Sequence, residues 1–395
     1  MAATSPSTSR RRRSHSMPTE AQDPARLKQL VAAAMKDYLG TQTEIGVSAA
    51  VAVGDVRAHY VAGLSDREAN QPVSEDTLFL IGSVQKVFTN TLAAARIVEG
   101  KLALTDQITR FLPGEVRQQG TVIRQVTPQA LGTMTAGMPS ANVPGHPAGA
   151  LYRGEVPPPA MFDFWTRFNP ETRVGAHYSY SNVSEVTQGF TTTFAARRSY
   201  PELFATDIQE PLAMRDTRVD LTGIRPERIA QGYTTQGKRL GYRGVGFNST
   251  ASDMLRFLEG NLFRVPSMPL LTYRAMQLAH TPHFEISARQ SIGLGWYITD
   301  APGGAKVVSK AGGNGGFVAW VGFLPGHAAA VVLLTNGHPT TGLSLPATGR
   351  KILLEAAGLD TSEVLPDTDA GVEQALLMRQ GLCALPQASC RAGWC

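Results

Sequence analysis

The chain of 395 residues has few cysteines, no long apolar run and only a small excess of charge. Its three cysteines, Cys383, Cys390 and Cys395, all lie near the C-terminus, and their spacing matches no zinc site. They therefore predict neither a disulfide framework nor a metal centre. The longest apolar runs, such as residues 328–334, are far shorter than the ~20 residues of a membrane-spanning helix. We therefore expect no membrane span.

The net charge of +5 does not indicate a nucleic-acid-binding surface. Four of the positive charges, at residues 10–13, lie in a Ser/Thr-rich N-terminal segment, and the charge of the remaining chain is nearly balanced. No basic stripe interleaved with aromatic residues follows. We expect residues 1–22 to form a disordered basic tail, and we expect no nucleic-acid partner.

The N-terminal segment also lacks the apolar core of a secretory signal. Polar residues 14–24 follow the arginines at the place where that core would lie. The sequence as written predicts a cytoplasmic protein; a mis-assigned N-terminus would allow a periplasmic one. The sequence leaves the oligomeric state open.

The composition, with 43% apolar and 17% charged residues, is typical of a globular chain with a full core. Strand-like runs lie towards both ends. Residues 45–53 and 56–62 flank Gly54-Asp55, which is typical of a type II′ hairpin, and four more runs lie within residues 293–334. The intervening region has mainly helical and loop patterns.

These patterns predict an α+β fold in which one antiparallel sheet is built from both chain ends and flanked by helices. We expect residues 23–80 and 262–358 to form this sheet sub-domain. Residues 81–261 would form an inserted, mainly helical sub-domain, and residues 359–395 a C-terminal appendage. A cleft between the two sub-domains is a natural ligand site.

The segment Gly82-Ser83-Val84-Gln85-Lys86 stands directly before a strong amphipathic helix pattern. Ser83 is thus expected at a helix N-terminus, where unpaired backbone N–H groups favour developing negative charge. Lys86 lies on the same helical face and can lower the cost of an alkoxide, or act as a base. The alternative interpretation is a serine N-cap followed by a surface lysine.

Two later motifs make the catalytic interpretation more specific. In Tyr180-Ser181-Asn182, the phenol is a candidate base if two lysines depress its pKa, and the amide is a candidate ligand for a substrate amide oxygen. In Lys310-Ala311-Gly312, a strand ending in Lys-x-Gly offers a cation. It also offers a backbone N–H that can complete an oxyanion hole with that of Ser83.

Ser-x-x-Lys, Tyr-Ser-Asn and Lys-x-Gly in this order resemble the penicillin-recognising serine hydrolases, and among them the class C β-lactamases. The resemblance extends over roughly residues 77–337. It implies a β-lactamase/transpeptidase-like fold and β-lactam ring opening through an acyl-enzyme, without metal or cofactor. The substrate would be a small molecule, a β-lactam or an ester.

The resemblance also implies roles for individual residues. The residues that would act on the substrate are Ser83 as nucleophile, Lys86 and Tyr180 as its proton carriers, the backbone N–H groups of Ser83 and Gly313 as the oxyanion hole, and Asn142, Asn182, Lys310 and Asn336 as substrate-binding groups.

One departure leaves alternatives open. The family's usual Lys-Thr-Gly is Lys310-Ala311-Gly312 here, so a hydroxyl that helps to bind a substrate carboxylate is missing. A neutral ester would lose less binding than a β-lactam, for which a lost charged hydrogen bond costs about 1.5–3 kcal/mol. A carboxylesterase, a D-alanyl or D-amino peptidase, and a non-catalytic module that binds β-lactams or muropeptides are therefore the alternatives.

Overall fold

A computed structural model describes most of the chain. The described residues are 23–120, 122–140, 143, 147–170, 172–240, 246–363 and 365. The predicted basic tail, the last thirty residues of the predicted appendage and Asn142 lie outside them. The expected disorder of the tail and the cytoplasmic location therefore stay predictions.

The strands of the described residues have bounds that largely follow the sequence patterns. They are β1 Val47–Val53, β2 Val56–Ala62, β3 Leu64–Asp66, β4 Gln71–Pro72, β5 Phe79–Leu80, β6 Asn248–Ser249, β7 Phe284–Ser287, β8 Gln290–Ile292, β9 Tyr297–Asp300, β10 Lys306–Asn314, β11 Phe317–Leu324 and β12 Ala329–Thr335.

The main sheet has eight described strands in the order β2-β1-β12-β11-β10-β9-β8-β7, and all neighbours are antiparallel. The first strand of the chain pairs with the last, from Val47 opposite Thr335 to Val53 opposite Ala329. The predicted sheet built from both chain ends is thus confirmed. The predicted hairpin is also present, with Gly54 at φ 59° between β1 and β2.

Two features of the sheet differ from the sequence patterns. Strand β10 continues through Gly312 and Gly313, which pair with Ala319 and Val318, so only the following glycines form the turn. The hairpin β7–β8 was not predicted. Its strands have only four and three residues, and the half-buried Phe284 and Ile286 pack on a small satellite cluster rather than on a main core.

The helices of the described residues include a long N-terminal one and a predominantly helical middle region. They are α1 Pro24–Leu39, α2 Lys86–Val98, α3 Gly114–Gln119, α4 Pro128–Gly132, α5 Pro147–Tyr152, α6 Pro159–Arg167, α7 Asn182–Ala196, α8 Tyr200–Phe204, α9 Ala251–Asn261, α10 Leu270–Ala279 and α11 Leu345–Ala356. None of them combines the length and apolar character that a membrane crossing requires.

Helix α1 shows how closely local signals set the helix ends. The Asp23 side chain accepts a hydrogen bond from Ala25 N, Pro24 occupies the first turn, and Gly40 ends the helix with φ 58°. These are the start and stop positions that the sequence predicts. The terminal helix α11 has a similar start, because the Ser344 side chain accepts a hydrogen bond from Ala347 N and Pro346 lies in the first turn.

Two hydrophobic cores lie on opposite faces of the main sheet. One packs α1 and α11 against residues such as Leu333, and the other packs the middle helices against alternate residues such as Val332 and Leu334. This alternation follows from the two-residue period of a strand. The second core continues from the sheet face into the helical region, so the division at residues 81 and 261 stays a prediction.

Candidate active site

Ser83 lies in a short 3₁₀ turn, Gly82–Gln85, that leads directly into α2. The helix therefore begins at Lys86 and not at the serine, but the turn keeps the two residues on one face, as predicted. The Ser83 side chain is half-buried, whereas that of Lys86 is only 2% exposed. The lysine is therefore not the surface residue of the alternative interpretation.

Two glycines allow the backbone of this turn to lie against strand β10. A Cβ atom on Gly312 would stand 2.6 Å from Ser83 N and 2.3 Å from Ile81 O, and one on Gly82 would stand 2.6 Å from Gly313 N. Real Cβ atoms do not approach other atoms so closely, so both positions require glycine. The amide groups of Ser83 and Gly313, the predicted oxyanion hole, consequently lie on adjoining backbone segments.

Tyr180 lies two residues before the start of α7, in a loop that is hydrogen bonded to the segment from Met134 to Pro139. Ser181 caps the helix by accepting from Ser184 N, and its hydroxyl donates to Pro139 O at 2.7 Å. The backbone N–H of Ser179 donates to Met134 O at 2.8 Å. These contacts fix the direction of the Tyr180 ring, because the residues on both sides of it are held.

The three predicted catalytic side chains meet at one point. The Tyr180 hydroxyl donates to Ser83 Oγ at 2.6 Å, and Lys86 Nζ lies 3.2 Å from the same oxygen. Lys86 Nζ also donates to Asn182 Oδ1 at 2.9 Å. The structure therefore brings Ser83, Lys86, Tyr180 and Asn182 into one hydrogen-bonded cluster.

Lys310 extends the cluster from the sheet side. The Lys310 Nζ is 5.3 Å from the centre of the Tyr180 ring and 4.3 Å from that of the Tyr297 ring. The Nζ of Lys86 is 5.2 Å from the centre of the same Tyr180 ring. The Lys310 side chain is buried. Two ammonium groups thus approach the phenol, as predicted.

The electrostatics of the cluster favour an ion pair between phenol and lysine. Burial alone would raise the pKa of Tyr180, but the charges of Lys86 and Lys310 lower it, and the net shift is downward. Burial alone would lower the pKa of Lys86, but Tyr180 and Glu185 raise it, and the net shift is upward. Lys86 is therefore held as a cation, and Tyr180 loses its proton more readily than an ordinary tyrosine.

The two remaining predicted substrate-binding residues are Asn142 and Asn336. Asn142 lies outside the described residues. Asn336 is fully buried; its amide oxygen accepts from Gly46 N at 2.7 Å, and its amide nitrogen donates to the carbonyls of Leu64 and Ser65. The predicted contact of Asn336 with substrate stays a prediction; in the structure these bonds engage its side chain in joining β12 to the N-terminal strands.

Two residues of the site region were missed by sequence reasoning. Tyr297 lies under Lys310, and its hydroxyl is hydrogen bonded to that of Tyr178. Glu185 lies one helical turn beyond Asn182 and is buried. For Glu185, the only signal in the sequence was a carboxylate inside an apolar helix pattern. Tyr297 had no such signal, because strand pairing brings it to β10.

The arrangement supports covalent catalysis by a serine. It combines a nucleophile, a base with a depressed pKa, two cations and a pair of backbone N–H groups. Ala311 is buried in the core on the other face of the sheet, so position 311 contributes no hydroxyl to the site. Within the described ranges, no group of three or more His, Cys, Asp or Glu side chains could hold a metal ion.

A family model described as Beta-lactamase matches residues 27–354, most of the chain. The protein therefore belongs to the β-lactamase family, and the predicted family and serine hydrolase class are confirmed. Among its curated relatives is a β-lactamase of Pseudomonas fluorescens, 25% identical, with 78% of this chain and 93% of the relative covered. A β-lactamase of Lysobacter lactamgenus is 27% identical, with 86% and 91% covered.

Solved structures show the same fold. A class C β-lactamase matches with a TM-score of 0.73 and 22% identity, covering 85% of this chain and 96% of its own. A class C β-lactamase in complex with cefoxitin matches with a TM-score of 0.72 and 22% identity, covering 85% and 99%. The predicted α+β fold of the class C type is confirmed.

Proposed function

We propose that this protein hydrolyses β-lactams through an acyl-enzyme formed on Ser83. The observation that carries the proposal is the 2.6 Å hydrogen bond between Tyr180 and Ser83 Oγ, with two lysine cations beside the same phenol. Curated relatives of this family are named β-lactamases, and a structural neighbour is recorded with cefoxitin. This supports the same substrate class here.

In the acylation step, the Tyr180 phenolate accepts the hydroxyl proton of Ser83. The serine oxygen then attacks the lactam carbonyl carbon, and the oxyanion is stabilised by the N–H groups of Ser83 and Gly313. The carbonyl C–N bond breaks as the ring nitrogen takes the proton from Tyr180. The acyl group remains on the serine, and the ring is open.

In the deacylation step, a water molecule attacks the ester carbonyl. Tyr180 accepts the proton of this water and returns it to Ser83 Oγ as the ester bond breaks, which restores the starting state. Lys86 stays protonated throughout and keeps the phenolate accessible near neutral pH. Lys310 and the Asn182 amide orient the substrate.

A carboxylesterase is the second candidate, because of Ala311. Because the side chain of Ala311 packs in the opposite core and carries no hydroxyl, position 311 gives a substrate carboxylate no hydrogen bond, and a neutral ester needs none. The acylation chemistry would be unchanged. The two candidates therefore differ in which substrate is bound and turned over, and not in which residue is acylated.

Steady-state hydrolysis of a chromogenic cephalosporin beside p-nitrophenyl butyrate tests the proposal, with Ser83→Ala as the matched control. We expect cephalosporin turnover that falls by at least about 10³-fold in Ser83→Ala, because the nucleophile is lost. Ester turnover with slow acylation by the cephalosporin would instead establish the esterase. No adduct on Ser83 with either a fluorescent penicillin or a fluorophosphonate would contradict both hydrolase candidates and favour the non-catalytic binding module.

A further inference from the structure

Helices α2 and α7 face each other through two successive polar contacts that descend from the active site. The upper contact joins Lys86 to Asn182 at 2.9 Å, and the lower joins Thr89 to Glu185, whose Oε1 accepts from the threonine hydroxyl at 2.7 Å. Each lower residue follows its upper one by three positions, so both contacts lie on the same helix faces. Glu185 therefore lies one turn beneath the catalytic lysine.

The Glu185 carboxylate is buried with neutral groups as its hydrogen-bond donors. Besides Thr89, the hydroxyl of Tyr152 donates to it at 2.6 Å, and the hydroxyl of Tyr200 is 3.0 Å from that of Thr89. Its side chain is 2% exposed. A buried carboxylate is costly unless it is hydrogen bonded and balanced by a positive charge. The hydroxyls of Thr89 and Tyr152 satisfy the first condition, and Tyr200 is hydrogen bonded to Thr89.

The second condition, a positive charge that balances the Glu185 carboxylate, is met by Lys86 of the active site. We propose that Glu185 is a positioning residue that keeps Lys86 protonated, so that the lysine can hold Tyr180 as a phenolate; this role rests on the proposed function of the cluster. The upper contact alone does not achieve this, because the Asn182 amide is neutral. Glu185 adds a full negative charge without touching the substrate side of the cluster.

The surrounding titratable groups are consistent with this direction of action. Tyr180 and Glu185 both raise the pKa of Lys86. The titratable groups whose pKa the charge of Glu185 raises are Lys86 of α2, Tyr152 of α5 and Tyr200 of α8. The pKa values of both tyrosines are raised, first by burial and then by the charge of Glu185, so they stay neutral. Lys86 is the group among them whose charge the carboxylate can stabilise.

The test is the pH profile of Ser83 acylation by a fluorophosphonate in the full chain. In the wild type, the acylation rate should rise with pH as Tyr180 loses its proton, which forms the acidic limb of the profile. It should fall at higher pH as Lys86 loses its proton, which forms the alkaline limb. In Glu185→Gln, whose amide oxygen can still accept from Thr89 and Tyr152, the alkaline limb should move to lower pH by roughly one unit. Tyr152→Phe is the control: it removes a hydrogen bond but no charge, so the melting temperature should fall while the limb stays in place.

An alkaline limb that does not move in Glu185→Gln would overturn the proposal and leave Glu185 as a structural anchor. If Glu185→Gln does not accumulate, Glu185→Asp is measured instead. The shorter side chain places the carboxylate farther from α2, so the alkaline limb should shift in the same direction by less. An unmoved limb in that variant would overturn the proposal equally. Absence of β-lactam hydrolysis would overturn the proposed function alone, since the acylation readout does not require it.

Discussion

Lys86 carries a positive charge in a place that is almost closed to solvent. Ser83, Asn182 and Tyr180 surround its ammonium group, and Glu185 lies one turn below. Coulomb interactions are stronger there than at the surface because the effective dielectric constant is lower. The residue that looks like an ordinary helix lysine in the sequence therefore sets the charge state of the whole cluster.

Replacing this charge should disable the base. In Lys86→Met, Tyr180 loses a neighbouring cation, so its pKa rises and less phenolate is present at neutral pH. We expect kcat/KM to fall by about 10²–10⁴-fold and the acidic limb of its pH profile to move to higher pH. Steady-state kinetics across pH would measure both.

The matched control is Lys101→Met, just beyond the end of the same helix, where the side chain is 51% exposed and pairs with Glu99. An exposed ion pair contributes little, so this variant should keep the wild-type profile. Equal losses of activity in the two variants would contradict the role of Lys86.

At the scale of elements, the site depends on how closely one strand approaches one turn. Strand β10 pairs with β9 from Lys306 to Ser309, and its remaining half adjoins the Gly82–Gln85 turn. Gly312 is the point of closest approach. Lys310 and Gly313 lie beside the Ser83 turn only because no Cβ atom separates the two backbones at Gly312.

Gly312→Ala should therefore damage catalysis. The new methyl group would overlap Ile81 O and Ser83 N, so the turn must move away from the strand. A displacement of about 1 Å at the reacting groups costs on the order of 10²-fold in rate, and we expect at least that loss in kcat/KM. Kinetics on whichever substrate is turned over would show it.

Gly326→Ala serves as the comparison, since this glycine lies between β11 and β12 and a Cβ atom there meets nothing within 4 Å. It should leave kcat/KM unchanged. Full activity in Gly312→Ala would contradict the close approach described above, because the turn and the strand would then accommodate a Cβ atom.

At the scale of the whole molecule, the main sheet separates the core that contains α1 and α11 from the face that carries the catalytic residues. Helices α1 and α11 cover one face, and the catalytic serine, lysine and tyrosine lie with the helices on the other. A defect in the first core should lower the free energy of unfolding without reaching the site, since the sheet lies between them.

Leu353→Ala tests this separation. Leu353 of α11 is fully buried in the first core, so its truncation should cost about 2–5 kcal/mol of stability. Denaturant unfolding would measure the loss, and kcat/KM at a temperature well below the transition should stay within about twofold. Leu343, which is 49% exposed, provides the control variant Leu343→Ala, with little effect on either quantity. A large loss of kcat/KM in folded Leu353→Ala would show that the two faces are coupled.

The sequence alone determined the features that depend on neighbours along the chain. The capped start of α1, the Gly54-Asp55 hairpin and the placement of Ser83 and Lys86 on one face are local, because hydrogen bonds and helical spacing within a few residues decide them. The three motifs also indicated the family, since the order Ser-x-x-Lys, Tyr-Ser-Asn and Lys-x-Gly is itself linear information.

Tertiary structure alone decided the contacts between distant segments. The amide of Asn336, a predicted substrate ligand, joins β12 to the chain around Gly46. Tyr297 entered the site through the pairing of β9 with β10, and Glu185 came to lie beneath Lys86 through the packing of α7 on α2. Such contacts depend on strand register and helix packing over separations of tens to hundreds of residues, which no local pattern of residues encodes.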